Sequence, residues 1–185
     1  MRPMHPSELL DFWFGQERKA WFEKNPAFDE EIRRRFLSLY ESAAAGKLKH
    51  WQEKPIPCLA LVILLDQFPR NLFRGSATAF AADPMAREAA RVILENGWDR
   101  TMTPDERMFA YLPFEHSESL ADQERCLALM KEIAVFPQTA DLPKWAEAHL
   151  AIIRRFGRFP HRNAALGRAS TPEEAEFLKQ PGSGF

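Results

Sequence analysis

Residues that favour β-strands are scarce in this chain: Val, Ile and Thr together number 15 among 185 residues. A large sheet depends on such side chains, because they pack well on a pleated surface. Ala and Leu, which are better helix formers, supply the apolar volume instead. The 15 Phe, five Trp and two Tyr add enough bulk for a core without disulfides. The composition therefore predicts an all-α fold.

Prolines that follow a small polar residue mark where several helices begin. Proline suits the first helical position, because the N–H that it lacks would have no partner there. Three such pairs are Asp83-Pro84, Thr103-Pro104 and Thr171-Pro172. Glu106 after Thr103, and Glu173 after Ser170, have the spacing of a capping box. Helix ends are predicted at four glycines: Gly15, Gly46, Gly97 and Gly157.

Between these marks, apolar residues recur every three to four positions, as they do in helices that bury one face. Together the signals predict about nine helices, at residues 7–14, 17–24, 29–45, 56–67, 84–96, 104–112, 119–135, 142–156 and 172–179. Their short connections predict an antiparallel array of neighbours, with the very apolar residues 56–65 at its centre. We expect a single domain over residues 1–180 and a loose tail over residues 181–185.

Charge and hydropathy exclude two classes of partner. The chain has 25 Lys and Arg against 26 Asp and Glu, so no positive field attracts nucleic acid or an anionic membrane. The apolar residues 56–65 are too few to cross a bilayer, which takes roughly 20 residues as a helix. Arg2 is not followed by an apolar segment, so we expect no targeting sequence. Cys58 and Cys126 show no Cys-x-x-Cys spacing, and the whole pattern predicts a soluble cytoplasmic protein.

The first candidate site lies where the apolar helix meets a proline, at residues 65–71. Its ligand-binding candidates are Asp66, Arg70 and Asn71, with Arg74 shortly after them. In one interpretation Asp66 pairs with Arg70, while Asn71 and Arg74 stabilise the turn. In the other, Arg70 and Arg74 form a fork for a carboxylate or phosphate, which suits the geometry of arginine.

The second candidate site is the run Glu115, His116, Ser117 and Glu118. A histidine flanked by glutamates can act as an acid, a base or a ligand. We therefore assign candidate catalytic roles to His116, Glu115 and Glu118, and a ligand-binding role to Ser117. In the structural alternative, Ser117 or Ser119 caps the next helix and Glu118 favours its N-terminus. His116 would then bond to the backbone.

The third candidate site follows the last long predicted helix, at residues 156–163. The segment is basic and aromatic, and its ligand-binding candidates are Arg158, His161, Arg162 and Asn163. One interpretation is a solvated loop whose Phe159 fills the core. The other is a second wall of an anion site that faces the Arg70 segment.

Motifs for metals and cofactors are missing from the sequence. His149 shares an apolar helix face with Leu142, Trp145 and Ile152, so we interpret it as structural. No His-Glu-x-x-His or Glu-x-x-His spacing is present, and we expect no metal ion. Phosphate-loop, dinucleotide-binding and nucleophile-elbow motifs are also missing, and we expect no bound cofactor.

Four motifs are distributed over most of the chain. They are residues 9–15 (Leu-Leu-Asp-Phe-Trp-Phe-Gly), 65–71 (Leu-Asp-Gln-Phe-Pro-Arg-Asn), 111–118 (Tyr-Leu-Pro-Phe-Glu-His-Ser-Glu) and 157–163 (Gly-Arg-Phe-Pro-His-Arg-Asn). In these motifs the sequence resembles the bacterial and wider family catalogued as domain of unknown function 924. The resemblance implies a tetratricopeptide-like helical fold and brings no established activity. No repeat of about 34 residues is visible, so this likeness is one of topology.

Two functions are consistent with the candidate residues. The first is a non-enzymatic protein that binds a small anion or a carboxyl-bearing peptide in a groove lined by arginines. The second is an enzyme of hydrolase or transferase type without a cofactor, in which His116 is the general acid or base, oriented by Glu115 or Glu118. Both predict that the Arg70 and Arg162 segments meet at one pocket with Glu115 and His116. A carboxylate on one nitrogen of a cavity-facing His116 would favour the enzyme.

Overall fold

The computed structural model describes residues 4–185, and every regular element in that range is helical. The all-α prediction is therefore confirmed. Arg2, which bears on the expectation that there is no targeting sequence, lies outside the described residues. No helix between residues 4 and 185 has the length and hydropathy that crossing a membrane requires.

Ten α-helical segments make up the described part of the fold. They are α1 (Pro6–Phe14), α2 (Pro26–Ala44), α3 (Pro55–Asp66), α4 (Phe68–Leu72), α5 (Thr78–Ala81), α6 (Asp83–Glu95), α7 (Pro104–Glu115), α8 (Leu120–Ile133), α9 (Leu142–Phe156) and α10 (Pro172–Phe177). Short 3-10 turns lie at Arg18–Trp21, Lys49–Glu53, Trp98–Thr101, Pro137–Thr139 and Pro160–Arg162. The predicted helix at residues 17–24 is one of these turns. The pattern does not predict α4 and α5, because four or five residues show no apolar periodicity.

The three helices with a predicted polar-proline start begin within one residue of the predicted position, but two of their caps differ from the prediction. Thr103 and Glu106 form the predicted capping box of α7. At the start of α10 the hydroxyl of Thr171 accepts a hydrogen bond from the Glu174 N–H, and this replaces the predicted box. Helix α6 begins at Asp83, one residue earlier than predicted, so Asp83 is not the N-cap. Its carboxylate is available to other side chains.

Helix α7 continues past its predicted end at residue 112, although Pro113 lies inside it. Proline supplies no N–H to the preceding turn, but the His116 N–H donates to the Leu112 carbonyl at 2.9 Å and the helix resumes. Phe114 is 0% exposed and anchors this last turn in the core. Glu115 and His116 therefore lie at the end of a buried helix and not in a surface loop.

Helix α3 lies at the centre of the core, as predicted. All of its residues from 58 to 66 are buried, and it packs against α1, α2, α6 and α7. Trp13, Phe36, Phe68 and Phe109 fill the core around it, with centroid distances of 5.0 to 5.6 Å between neighbouring rings. Because α3 is buried on all sides, its polar last residue is buried too.

Helices α8 and α9 complete the array, with α9 on α8 and α8 on α7. This order brings the segment after α9 close to the end of α7. The buried face of α9 runs through Leu142, Ala146, His149 and Ile153. Trp145, which the sequence pattern assigns to that face, is 47% exposed. It lies at the edge of the buried face, where α9 borders a cavity.

We predict that Leu64→Asp prevents folding. Leu64 is 0% exposed in α3, and an unpaired buried charge costs several kcal/mol against a total stability of about 5–15 kcal/mol. Urea denaturation followed by circular dichroism measures the effect. Leu120→Asp is the control, because Leu120 is 45% exposed at the first position of α8, where an acidic side chain is favourable. A cooperative transition of Leu64→Asp at the wild-type midpoint would contradict the central position of α3.

Candidate functional site

One cavity of about 690 Å³ brings residues of all three candidate segments together. It lies between α4, α7, α9 and the turn Pro160–Arg162. Seven of the candidate residues line it: Arg70, Asn71, Arg74, Glu115, His116, His161 and Arg162. The expected meeting of the Arg70 and Arg162 segments with Glu115 and His116 is therefore present in the structure.

His116 and Asp66 form a hydrogen-bonded pair at the wall of this cavity. Asp66 is the last residue of α3, and His116 directly follows α7, so two packed helices position them. His116 Nδ1 lies 2.8 Å from Asp66 Oδ1, and Gln67 Nε2 donates to Asp66 Oδ2 at 2.7 Å. Asp66 is 0% exposed. The second ring nitrogen of His116, Nε2, has no hydrogen-bond partner among residues 4–185.

Electrostatics set the protonation of this pair at neutral pH. Burial alone raises the pKa of Asp66, but His116 and Arg70 together bring it down to about 2, so the carboxylate is ionised. Burial and the Arg70 guanidinium lower the pKa of His116 below its usual 6.5, so the ring is neutral. An ionised carboxylate only accepts hydrogen bonds, and Nδ1 therefore carries the ring proton. Nε2 presents a lone pair, as a general base requires.

Asp83 joins the two arginine segments, although no pattern in the sequence marks it as a site residue. Arg70 binds Asp83 with both ends of its guanidinium, at 2.8 and 3.1 Å. Arg162 Nη1 lies 3.6 Å from Asp83 Oδ2, and Arg162 Nη2 donates to the His116 carbonyl at 2.9 Å. An Asp-Pro pair at a helix start is typical of a cap. No signal in the sequence indicates that this aspartate pairs with arginines.

Arg74 does not form the predicted fork with Arg70, because it binds Asp29 of α2. Its Nε and Nη2 donate to the Asp29 carboxylate at 2.7 and 2.9 Å. Asn71 Nδ2 donates to the same carboxylate at 2.8 Å. These bonds attach α4 to α2, which agrees with the interpretation that Asn71 and Arg74 stabilise the turn.

The wall of the cavity carries more positive than negative side chains. Its arginines are Arg18, Arg70, Arg74 and Arg162, and besides Glu115 its acidic residues are Glu23 and Asp141. The carboxylates that pair with these arginines, on Asp29, Asp66, Asp83 and Asp105, lie outside the lining. Arg162 also has a buried Nε without an acceptor among the described residues. This arrangement favours an anionic ligand.

Glu115 and His149 form a second buried pair in the wall. They are 5% and 6% exposed, with Glu115 Oε1 at 3.3 Å from His149 Nδ1. Burial raises the pKa of Glu115 to about 8 and lowers the pKa of His149 to about 3. At neutral pH the carboxyl group is therefore protonated and the imidazole is neutral. The apolar face of α9 indicated a structural histidine, but His149 also lines the cavity.

Two candidates from the second segment lie outside the lining of the cavity, namely Ser117 and Glu118. The Ser117 hydroxyl donates to Asp122 at 2.7 Å. Glu118, a predicted catalytic residue, accepts from the Phe159 N–H and from Arg168, both at 2.8 Å. The chain turns after His116 to begin α8, so these neighbours in sequence face away from the cavity. The contacts of Glu118 attach the loop after α9 to the start of α8, and the Ser117 bond to Asp122 stays within that start.

Arg158 and Asn163 also lie outside the lining. Both bind Glu174 of α10, Arg158 Nη2 at 2.9 Å and Asn163 Nδ2 at 2.6 Å. They hold the two ends of the turn that carries His161 and Arg162. We interpret both as residues that position the cavity wall and not as ligand contacts.

Three histidines line the cavity: His116, His149 and His161. Burial and the neighbouring Arg162 lower the pKa of His161 to about 4. Within residues 4–185, no three His, Cys, Asp or Glu side chains are grouped as a metal ion would require. The expectation that the protein binds no metal and no cofactor stays a prediction.

The fold and the cavity define an all-helical protein with a hydrogen-bonded histidine and aspartate at the wall of a cavity that arginines and aromatic side chains line. The family model described as bacterial protein of unknown function (DUF924) matches residues 9–182. The chain therefore belongs to this family, and the resemblance seen in the sequence is confirmed. The matched residues include the His116 and Asp66 pair, the arginines of the wall and His149.

A solved structure of a protein of unknown function from Agrobacterium tumefaciens is similar to this chain over almost its whole length. The two share 41% sequence identity with a TM-score of 0.87, and the match covers 94% of this chain and 96% of the other. No curated protein matches this chain. The comparisons establish the family and the fold, and the functional inference therefore depends on the chemistry of the cavity.

We predict that Glu115 makes the folded state less stable as the pH rises. Its pKa is raised from the usual 4.5 to about 8, so the folded chain retains a proton that the unfolded chain releases between these values. The retained proton contributes its full stability below pH about 4.5. This stability is lost as the pH rises towards about 8, by at most about 1.4 kcal/mol per pH unit. Glu115→Gln is neutral at every pH. Its free energy of unfolding should therefore rise relative to that of the wild type between pH about 5 and about 8.

Urea denaturation of both proteins across this pH range measures the difference. Glu147→Gln is the matched control, because its side chain is 59% exposed on α9, and its difference from the wild type should stay constant. Parallel curves for the wild type and Glu115→Gln would show that Glu115 is not protonated in the folded chain.

Proposed function

We propose that this protein is a cofactor-independent enzyme of hydrolase or transferase type, with His116 as its general base. The observation that carries this proposal is the 2.8 Å contact between His116 Nδ1 and the buried carboxylate of Asp66. A residue that only held a ligand or a turn would not need a buried carboxylate to orient it. Asp66 fixes the tautomer of the ring and stabilises the imidazolium that forms when Nε2 takes a proton.

Glu115 supports the proposal as a general acid. It lines the same cavity, and burial keeps its carboxyl group protonated at neutral pH. Two neighbouring groups whose pKa values differ in this way can give and take a proton in one reaction. His116 and Glu115 are adjacent in the chain, at the end of α7, and the buried last turn of that helix fixes their relative position.

The reaction proceeds by transfer of an acyl or phosphoryl group. His116 Nε2 removes a proton from water or from a second substrate, and the freed oxygen attacks the carbonyl or phosphoryl centre. The bond to the leaving group breaks while Glu115 donates its proton to that group. The imidazolium then releases its proton to solvent and Glu115 takes one up, so both groups return to their starting states.

The cavity supports a small anionic substrate. Its volume of about 690 Å³ is in the range of small-molecule sites, about 300–1,000 Å³. Arg70 and Arg162 face it, with Asp83 between them as a fixed partner. Asp83 holds both guanidiniums in fixed positions at the wall, and such preorganisation favours catalysis.

A second candidate function is binding without chemistry, of a small anion or of a carboxyl-bearing peptide. The arginines of the cavity wall favour it, because guanidiniums suit the geometry of a carboxylate or phosphate. The two candidates share the arginines and differ in what His116 does.

We predict that turnover depends on both members of the pair while binding does not. The assay is a panel of small anionic substrates: acidic nitrophenyl esters, phosphomonoesters and N-acyl amino acids. His116→Gln and Asp66→Asn should each lower the turnover of an accepted substrate about 100- to 10,000-fold. The same compounds should raise the melting temperature of the wild type and of both variants to a similar extent.

His50→Gln is the control, because His50 is exposed on a short turn and does not line the cavity. It should turn over substrate at the wild-type rate. Compounds that raise the melting temperature without any turnover would favour the binding protein over the enzyme. Turnover that survives in both variants would contradict the role of His116 as the general base.

A further inference from the structure

The ring of Phe185 occupies part of the cavity. It stacks on the imidazole of His149, with centroids 3.6 Å apart and planes at 17°. The ring of His161 meets it nearly edge-on, at 6.0 Å and 77°. Phe185 remains 53% exposed, so it is held through one ring face and not by burial in the core.

Further aromatic side chains of the cavity are open to solvent. Phe22 is 58% and Trp145 is 47% exposed, and both line the cavity. Exposed aromatic groups in a concave site are typical of places where the apolar part of a ligand packs. The cavity therefore offers exposed aromatic surface, of which Trp145 lies on α9, as well as the polar groups of α4 and the end of α7.

A guanidinium lies next to the ring site, on the turn that carries His161. Arg162 follows His161, and its guanidinium lies 4.6 Å from the ring centroids of Phe80 and Phe159. Its Nε is the buried donor without an acceptor. A ring site and a donor for an anion are thus neighbours on the short turn Pro160–Arg162.

We propose that the ligand of this cavity is a planar aromatic acid, whose ring replaces Phe185 on His149 while its anionic group meets Arg162. This inference rests on the proposed function and names its substrate class. His149 and His161, which form the ring site, lie within residues 9–182 of the family match, and Phe185 lies outside them. Phe185 is held on this ring site only through one ring face, so a ligand ring can displace it.

The test is isothermal titration with three acids of equal charge: 3-phenylpropionate, 3-cyclohexylpropionate and butyrate. Aromatic stacking contributes about 0.5–1.5 kcal/mol beyond area burial, so the phenyl acid should bind about 2- to 12-fold more tightly than the cyclohexyl acid. Phe185→Ala removes the internal competitor. It should tighten binding of the phenyl acid by a similar factor and leave butyrate unchanged.

Phe136→Ala is the matched control, since Phe136 is 39% exposed and is not part of the cavity lining. It should leave all three affinities as in the wild type. Equal affinities for the phenyl and cyclohexyl acids, or weaker binding of the phenyl acid by Phe185→Ala, would overturn the ring site. Butyrate binding would then still support the anionic site of the proposed function. If none of the three acids binds, the ring site and the anionic site both fail.

Discussion

A buried carboxylate at the end of the central helix organises the whole site. Asp66 is 0% exposed. An isolated charge in such a place would destabilise the folded state, because its loss of hydration costs several kcal/mol. The charge is stabilised by His116, Gln67 and Arg70. His116 and Gln67 lie 2.8 and 2.7 Å from the Asp66 carboxylate. Arg70 Nη1 lies 2.7 Å from the Asp66 carbonyl oxygen and 3.7 Å from the carboxylate. These contacts with Asp66 hold the end of α7 and the start of α4 next to the end of α3.

A second carboxylate extends this constraint to the rest of the cavity. Asp83, at the start of α6, binds Arg70 in two places and lies near Arg162. Arg162 in turn bonds to the His116 carbonyl. The ends of α3 and α7, helix α4, the start of α6 and the turn after α9 are thus connected through a few buried charges. Such a network holds its members in one geometry, and removal of one partner leaves an uncompensated charge.

The sequence predicts the fold well, because helix signals are local. Prolines, caps and apolar spacing locate the long helices, and the position of α3 follows from its continuous apolar run. The candidate site is predicted only where its residues stand in conspicuous polar runs, as His116 and Arg70 do. Glu118 belongs to the same polar run, and its predicted catalytic role is not supported. It is close to His116 in sequence but binds Arg168, away from the cavity.

Other members of the site show why spacing along one chain is insufficient. Asp83 follows the rule for a helix cap, and His149 follows the rule for an apolar helix face, so each has an ordinary local explanation. Their roles depend on partners far away in sequence: Arg70 and Arg162 for Asp83, and Glu115 for His149. Local sequence patterns do not predict these pairings. A single sequence therefore predicts helices more reliably than it predicts contacts between their ends.

The central claim is that Asp66 holds His116 as a neutral ring with its proton on Nδ1. Nitrogen NMR of histidine-labelled protein at neutral pH reads this state directly, with His116→Gln to assign the signals. We expect a protonated, pyrrole-type Nδ1 and an unprotonated, pyridine-type Nε2, and a loss of this preference in Asp66→Asn. A proton on Nε2, or a doubly protonated ring at neutral pH, would contradict the account.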